Sequence, residues 1–125
     1  MKKQGFFFLV LLSFCTCLLT SCREPDPSVA KVFVRNSFKE LLVGVEVLIV
    51  ADADNFPAYD EKRMTNSSGY ASFNLEDYFS QFSEEAPKIS DFKIYLNVEG
   101  KFQEVGNLRT RANVTSVETV FFNIE

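Results

Sequence analysis

The sequence predicts an all-β fold, a seven-stranded antiparallel sandwich with one short helix between strands four and five. From residue 29 onward, apolar side chains recur at every second position, which is the period of a strand with one buried face. Turn-forming residues separate these stretches at short intervals, which is typical of sandwiches. A single segment changes to a period of three and four residues, which indicates a helix.

The first 21 residues are predicted to be a signal peptide rather than part of the fold. Two lysines precede an apolar run over residues 6–19. This run is shorter than the roughly 20 residues that a helix needs to span a bilayer, and it fits the apolar region of a secretory signal. Small residues before Cys22 suit the binding pocket of a signal peptidase, with cleavage between Ser21 and Cys22. The alternatives are an ordinary cleaved signal with Cys22 as a free thiol, or an uncleaved anchor.

The end of this leader, Leu19-Thr20-Ser21-Cys22, resembles the lipobox of bacterial lipoproteins. The resemblance implies a thioether-linked diacylglycerol on Cys22, followed by acylation of the new amino terminus. Two or more acyl chains anchor a protein stably, whereas one chain binds only marginally. The expected partner of Cys22 is therefore a membrane, and residues 22–28 are expected to form a lipidated tether.

The residues after Cys22 bear on which membrane of the cell envelope is involved. An Asp directly after the cysteine is the inner-membrane retention signal of such lipoproteins, and here that position is Arg23, which favours the outer membrane. Glu24 and Asp26 loosely resemble the surface-export signal of Bacteroidetes lipoproteins. The periplasmic and the surface face both stay open.

Composition bounds the remaining chain to one acidic domain over residues 29–125. The whole chain has a formal net charge of −4, and removing the leader takes away two basic residues and no acidic one. Such a domain is a poor partner for nucleic acid or for an anionic lipid surface. Two of the three cysteines lie in the leader, so no disulfide is expected within the mature domain.

The predicted strands follow the apolar alternation, with charged residues on both faces of the third, which indicates an edge strand. Their approximate ranges are 29–35, 43–51, 59–65, 71–75, 92–98, 102–105 and 117–124. The residues predicted to share the core face are Ala30, Val32, Val34, Val43, Val45, Val47, Ile49, Ala51, Ala71, Phe73, Leu75, Phe92, Ile94, Leu96 and Val98.

The helix is predicted from apolar residues at Leu75, Tyr78, Phe79 and Phe82, with Asn74 as its N-cap. A stripe of this kind usually faces the core, so we expect the helix to cover an open end of the sandwich. The alternative is an aromatic helix that contacts the membrane.

Two segments of the domain resemble carboxypeptidase-regulatory-like and transthyretin-like modules. Residues 40–47, Glu-Leu-Leu-Val-Gly-Val-Glu-Val, are similar to the opening strand of that family, and residues 65–73 are similar to its turn and strand, with Asn66 in place of Asp. The resemblance implies a prealbumin-like (Ig-like) sandwich and an accessory, adhesive or ligand-binding role. A fold does not determine a function, so this role stays an expectation.

The sequence predicts no enzyme and no cofactor. The chain has no His, and the one Cys after the leader is expected to carry lipid, so the usual nucleophile–base pair and the usual zinc ligands are missing. A weak calcium candidate consists of Asp52, Asp54 and Asp60, with Asn55 and Glu61 nearby, since Ca²⁺ takes hard oxygen ligands. A solvated loop is the favoured alternative.

If successive strands alternate in direction, three long loops (residues 52–58, 75–90 and 106–116) meet at the end near the tether, where long loops commonly carry recognition. The candidate partner-binding residues there are Asp52, Asp54, Tyr59, Asp60, Tyr78, Phe82, Arg109 and Arg111. The alternative is that the arginines only pair with the aspartates and tie the loops together.

The expected function is therefore a lipid-anchored, non-catalytic envelope module that binds an envelope protein or glycan. A structural component of a pilus or adhesin, or a calcium-binding module, is the alternative.

Overall fold

The computed structural model describes residues 25–122 of the chain. The signal peptide, the cleavage site at Ser21 and Cys22, and the lipidated Cys22 itself lie outside these residues and stay predictions. Within residues 25–122, no helix has both the length and the apolar character that crossing a membrane requires.

The described residues form seven strands and one short helix. In chain order these are β1 (Val29–Arg35), β2 (Glu46–Ala51), β3 (Asp60–Met64), β4 (Tyr70–Asn74), α1 (Glu76–Ser80), β5 (Ile89–Val98), β6 (Lys101–Arg111) and β7 (Thr115–Phe121). An isolated antiparallel bridge between Arg35 and Leu41 is a further strand-like pairing outside them. The predicted number of seven strands therefore holds for the longer strands only, and this short pairing adds an eighth extended segment.

Two sheets make up the sandwich, which is all-β as predicted. One sheet has the order β4-β1-β7 and the other the order β3-β2-β5-β6. The pairing of β1 with β7 is parallel, whereas the other pairings of neighbouring strands are antiparallel. The prediction of a wholly antiparallel sandwich is thus wrong for the three-stranded sheet, which is mixed. Alternation along one strand is the same in both kinds of pairing, so the pattern holds no information about direction.

The core lies between the sheets and follows the predicted alternation closely. Ala30, Val32 and Val34 are fully buried, as are Phe73 and Leu96. Tyr78 and Phe79 of α1 are also buried, as predicted for a helix that covers one end of the core. The N-cap of this helix is Leu75, which makes no side-chain capping hydrogen bond, so the prediction of Asn74 as the N-cap is wrong by one residue. Asn74 still supports the start of the helix, since its Oδ1 accepts a hydrogen bond of 2.9 Å from the Glu76 backbone N–H.

The second strand is shorter than predicted. Val43 is 63% exposed and lies before β2, so its assignment to the core face is wrong. Gly44 separates it from the strand with a φ of +77°, a left-handed conformation that interrupts extended backbone.

The sixth strand is longer than predicted, and the expected loop over residues 106–116 is wrong. β6 continues to Arg111, and only residues 112–114 connect it to β7. A register shift between Ile94 and Tyr95 leaves Val105 as an extra residue opposite β5. This bulge reverses which residues face the core, so that Leu108 and Thr110 are buried. The simple alternation of the sequence breaks at this point, which is why the strand was not predicted to continue.

The β2–β3 loop and the long β4–β5 connection lie at the end of the sandwich where β1 begins. Ser28, directly before β1, accepts a hydrogen bond from Leu75 N at 2.9 Å and another, through its Oγ, from Asn113 N at 2.8 Å. The Tyr78 hydroxyl donates to the Pro57 carbonyl oxygen at 3.2 Å, so the β2–β3 loop lies beside the β4–β5 connection. Two of the three loops predicted to carry the binding site are therefore adjacent, next to the start of the domain.

Candidate binding groove

An open groove of about 550 Å³ lies between the β2–β3 loop and the segment that follows α1. Its apolar lining residues, which we call the floor, are Phe56, Pro57, Phe82, Ala86, Pro87 and Ile89. Its polar lining residues, which we call the rim, are Asn55, Gln81, Ser83, Asp91 and Arg109. We refer to these eleven residues as the groove.

Asp52 shapes one wall of the groove through its own loop. Its Oδ1 accepts a hydrogen bond of 3.2 Å from Asp54 N, and its Oδ2 accepts one of 2.7 Å from Asn55 Nδ2. The backbone N–H of Phe56 donates to the Asp52 carbonyl at 2.9 Å. These bonds are typical of a turn held by an Asp side chain, and they turn Phe56 toward the groove.

Tyr78 joins the two walls beneath the groove. Its hydroxyl lies 3.2 Å from the Pro57 carbonyl oxygen, to which it donates, and 2.7 Å from Ser90 Oγ. Its ring packs edge-on against Phe82, with the ring centroids 5.4 Å apart. Burial raises the pKa of Tyr78, an effect that the Ser90 hydrogen bond partly opposes. Because the side chain is only 1% exposed, it supports the groove from inside and does not meet a partner.

Tyr59 is also a supporting residue. Its ring packs against Tyr78 and Phe92, with centroid distances of 5.2 and 5.5 Å. Its hydroxyl donates to the Glu61 carboxylate. Burial, followed by the hydrogen bond to Glu61, raises the pKa of Tyr59 well above its ordinary value, so the phenol stays neutral at physiological pH.

Arg109 and Asp91 form a two-point ion pair at the rim. Arg109 Nε donates to Asp91 Oδ1 at 2.9 Å, and Nη2 donates to Oδ2 at 3.2 Å. The two residues are directly opposite each other on β6 and β5. The hydrogen bond from Arg109 is the largest cause of the lowered pKa of Asp91, which is therefore ionised at neutral pH. Arg109 does pair with an aspartate, but with a neighbour in the sheet rather than with one of the loop aspartates.

Of the eight predicted partner-binding residues, only Phe82 and Arg109 line the groove. Asp52, Tyr59 and Tyr78 support it from its loop or from inside, and the remaining three lie away from it. Arg111 is the exposed last residue of β6, Asp54 is exposed in the β2–β3 loop, and Asp60 is exposed at the start of β3. Across residues 25–122, no group of three or more His, Cys, Asp or Glu side chains is placed to hold a metal ion. The carboxylates of the weak calcium candidate, Asp52, Asp54 and Asp60, thus do not converge.

Of the three aromatic residues predicted for the site, only Phe82 lines the groove. The other residues of the groove floor were not among the predicted site residues. The available signal was a pair of apolar–proline steps inside otherwise polar loops, Phe56-Pro57 and Ala86-Pro87. Asp91 was missed because its role depends on the register between β5 and β6, which alternation does not reveal.

Comparison with known proteins places the chain in no family. No family model and no curated protein matches it. Among solved structures, it is similar to the Bacillus anthracis TIE protein, with 13% sequence identity and a TM-score of 0.46. The similarity covers 78% of this chain and 16% of that chain, so the chain spans less than a fifth of that protein's length.

Proposed function

We propose that this chain is a lipid-anchored protein of the cell envelope, at the outer membrane, whose single β-sandwich binds a segment of another envelope protein without catalysing a reaction. The observation that carries the proposal is the groove, an open apolar floor with a fixed ion pair at its rim. The lipobox-like end of the leader supports the anchor on Cys22. The transthyretin-like motifs support an accessory role and the finer assignment of the sandwich to the prealbumin-like type.

The groove fits apolar side chains of a partner. Its volume of about 550 Å³ lies within the usual range of ligand pockets. Burying one large apolar side chain there would contribute about 1.5–3 kcal/mol. A glycan presents hydroxyl groups and needs many polar contacts, which this floor of Phe, Pro, Ala and Ile side chains does not supply. The groove therefore favours a protein segment over a glycan.

The rim can orient the backbone of such a segment. Arg109 has five N–H donors, of which two bind Asp91, and the others are able to meet a carbonyl or carboxylate oxygen of the partner. The two hydrogen bonds to Asp91 orient the exposed guanidinium at the rim.

The chemistry of the rim supports binding rather than catalysis. The titratable rim groups are Asp91 and Arg109, which bind each other. The lowered pKa of Asp91 removes it from the range near neutrality where a general acid or base works best.

Site-specific photo-crosslinking in intact cells tests the proposal. A photoreactive residue replaces Gln81 at the rim, and a second version replaces Lys101, which is the first residue of β6 directly after the β5–β6 turn. We expect one discrete protein adduct from position 81, identified by mass spectrometry, and none from position 101. Adducts of equal yield from both positions would contradict a specific site, and a carbohydrate adduct would show that the ligand is a glycan.

Two charge reversals on the same strand provide the matched control. Arg109→Glu and Arg111→Glu make the same change on exposed residues two positions apart, and only Arg109 lines the groove. The adduct should disappear with Arg109→Glu and persist with Arg111→Glu. If both variants retain it, the rim has no part in binding.

A further inference from the structure

Within residues 25–122, the outward face of the three-stranded sheet carries positive charge and no carboxylate. Since Ala30, Val32 and Val34 face the core, the alternate residues of β1 face outward, and the strand register extends this face across β4 and β7. The outward residues are Val29, Lys31, Phe33, Arg35, Tyr70, Ser72, Asn74, Thr115, Val117, Thr119 and Phe121. We call this surface the β1 face; Lys31 and Arg35 are its charged residues.

This distribution contrasts with the rest of the domain, which is acidic. The outward face of the four-stranded sheet mixes both signs, with Asp60, Asp91 and Glu104 beside Lys62, Lys93 and Arg109. Among the residues that the structure describes, the acidic side chains thus lie off the outward face of this sheet. Local charge, not net charge, decides what a surface attracts at short range, because salt screens the distant charges.

The two cations of the β1 face are positioned by neutral groups. Lys31 Nζ lies 4.8 Å from the centroid of the Tyr70 ring, and that ring packs at 5.2 Å from Phe33. Arg35 Nη1 donates to the Lys39 carbonyl at 2.8 Å. The ion pairs found within residues 25–122 involve neither cation.

Apolar side chains complete the face on the β7 side. Val117 is 53% exposed and Phe121 is 48% exposed. By register, Val117 lies beside Lys31 and Phe121 beside Arg35. Cations interleaved with aromatic and branched apolar side chains suit the boundary between lipid headgroups and acyl chains, where aromatic residues concentrate and basic residues meet anionic headgroups.

We propose that the β1 face rests on a phospholipid surface that contains anionic headgroups. The segment from Cys22 to Val29 can extend at most about 25 Å, so an anchored domain stays within reach of the bilayer. The β1 face begins at the residue where this segment ends. This orientation goes beyond the proposed partner binding and shares with it only the lipid anchor. It also leaves the groove accessible, because Asp91 and Arg109 lie on the outward face of the opposite sheet.

The test uses the full chain as the cell processes it, reconstituted into vesicles of phosphatidylcholine with or without phosphatidylglycerol. Ser72→Cys places a fluorescent label on the β1 face, and Asn107→Cys places it on the opposite sheet; both positions are exposed. Quenching by a spin-labelled lipid then reports which face meets the bilayer. We expect several-fold stronger quenching at position 72 than at 107, and the difference should be larger with phosphatidylglycerol.

Neutral substitutions identify the responsible charges. Lys31→Gln and Arg35→Gln should each lower the ratio of molecules with the β1 face toward the bilayer to those with it away from the bilayer about fivefold. This is the effect expected from removing one cation near an anionic surface. Lys62→Gln and Lys93→Gln, on the other sheet, should leave the ratio unchanged.

Flotation of the vesicles separates this inference from the anchor on which it rests. A chain that floats but is quenched equally at positions 72 and 107 overturns the orientation and leaves the anchor intact. A chain that does not float overturns the anchor, and with it the orientation, because two cations alone hold a protein too weakly. Equal loss of quenching from Lys31→Gln and Lys62→Gln would also overturn the assignment of the face.

Discussion

Gly69 is the residue at which a single methyl group should be most costly, because two separate effects coincide there. Its φ is +80°, and a Cβ at this position would lie 2.6 Å from Leu41 Cβ. The left-handed conformation alone costs a non-glycine residue about 1–2 kcal/mol. The contact adds to this, because Leu41 Cβ is fixed to the backbone and cannot rotate away. Displacing it resembles overpacking, which costs about 1–3 kcal/mol. Gly69→Ala should therefore destabilise the domain by about 2–5 kcal/mol.

Gly100 provides the matched control. It has a φ of +85°, and a Cβ there would meet no atom within 4 Å. Gly100→Ala should therefore cost only the conformational part, about 1–2 kcal/mol. The difference between the two variants measures the contact with Leu41.

Urea unfolding followed by circular dichroism, on the chain without its leader, gives both free energies of unfolding. A double-mutant cycle with Leu41→Gly then isolates the contact, since that change removes the opposing Cβ. We expect Gly69→Ala to cost about as little as Gly100→Ala in the Leu41→Gly background. The reasoning is refuted if Gly69→Ala and Gly100→Ala are equally destabilising in the natural background.

Three further predictions concern the core, the pH dependence of stability and the anchor. Phe73→Ala and Leu96→Ala, which truncate fully buried side chains, should each lower the free energy of unfolding by about 2–5 kcal/mol. Tyr95→Ala should cost less, because Tyr95 lies on the outward face of β5. If urea unfolding gives the reverse order, the assignment of these residues to the core and outward faces is wrong. Because the pKa of Tyr59 is raised in the folded state, its neutral phenol stabilises the fold fully below about pH 10. This stabilisation is lost as the pH rises through the folded-state pKa. Stability should therefore fall above pH 10, less steeply in Tyr59→Phe; an identical slope would contradict this. Cys22→Ser should abolish the incorporation of radiolabelled palmitate and leave unprocessed precursor, and label on the variant would exclude Cys22 as the lipidated residue.

Much of the sandwich was predictable because burial repeats along single strands. The core faces of β1, β4 and β5, and the helix that covers one end, follow directly from apolar spacing. The groove was predictable only in location. Loops after β2 and after β4 were expected to meet near the start of the domain, and they do, but of the predicted aromatics only Phe82 lines the groove.

The sequence by itself determined the period of the strands, the turns at residues 66–69 and 99–100 and the acidic character of the domain, since these depend on composition or on residues close together in the chain. It also contains the lipobox-like motif, from which the lipidation of Cys22 stays a prediction. Only the tertiary structure decided the parallel pairing of β1 with β7, the bulge at Val105 and the partnership of Asp91 with Arg109. These depend on the direction and register of strands that are distant in sequence. Alternation specifies which face of a strand is buried, but many pairings satisfy it, and the packing of the whole core selects among them.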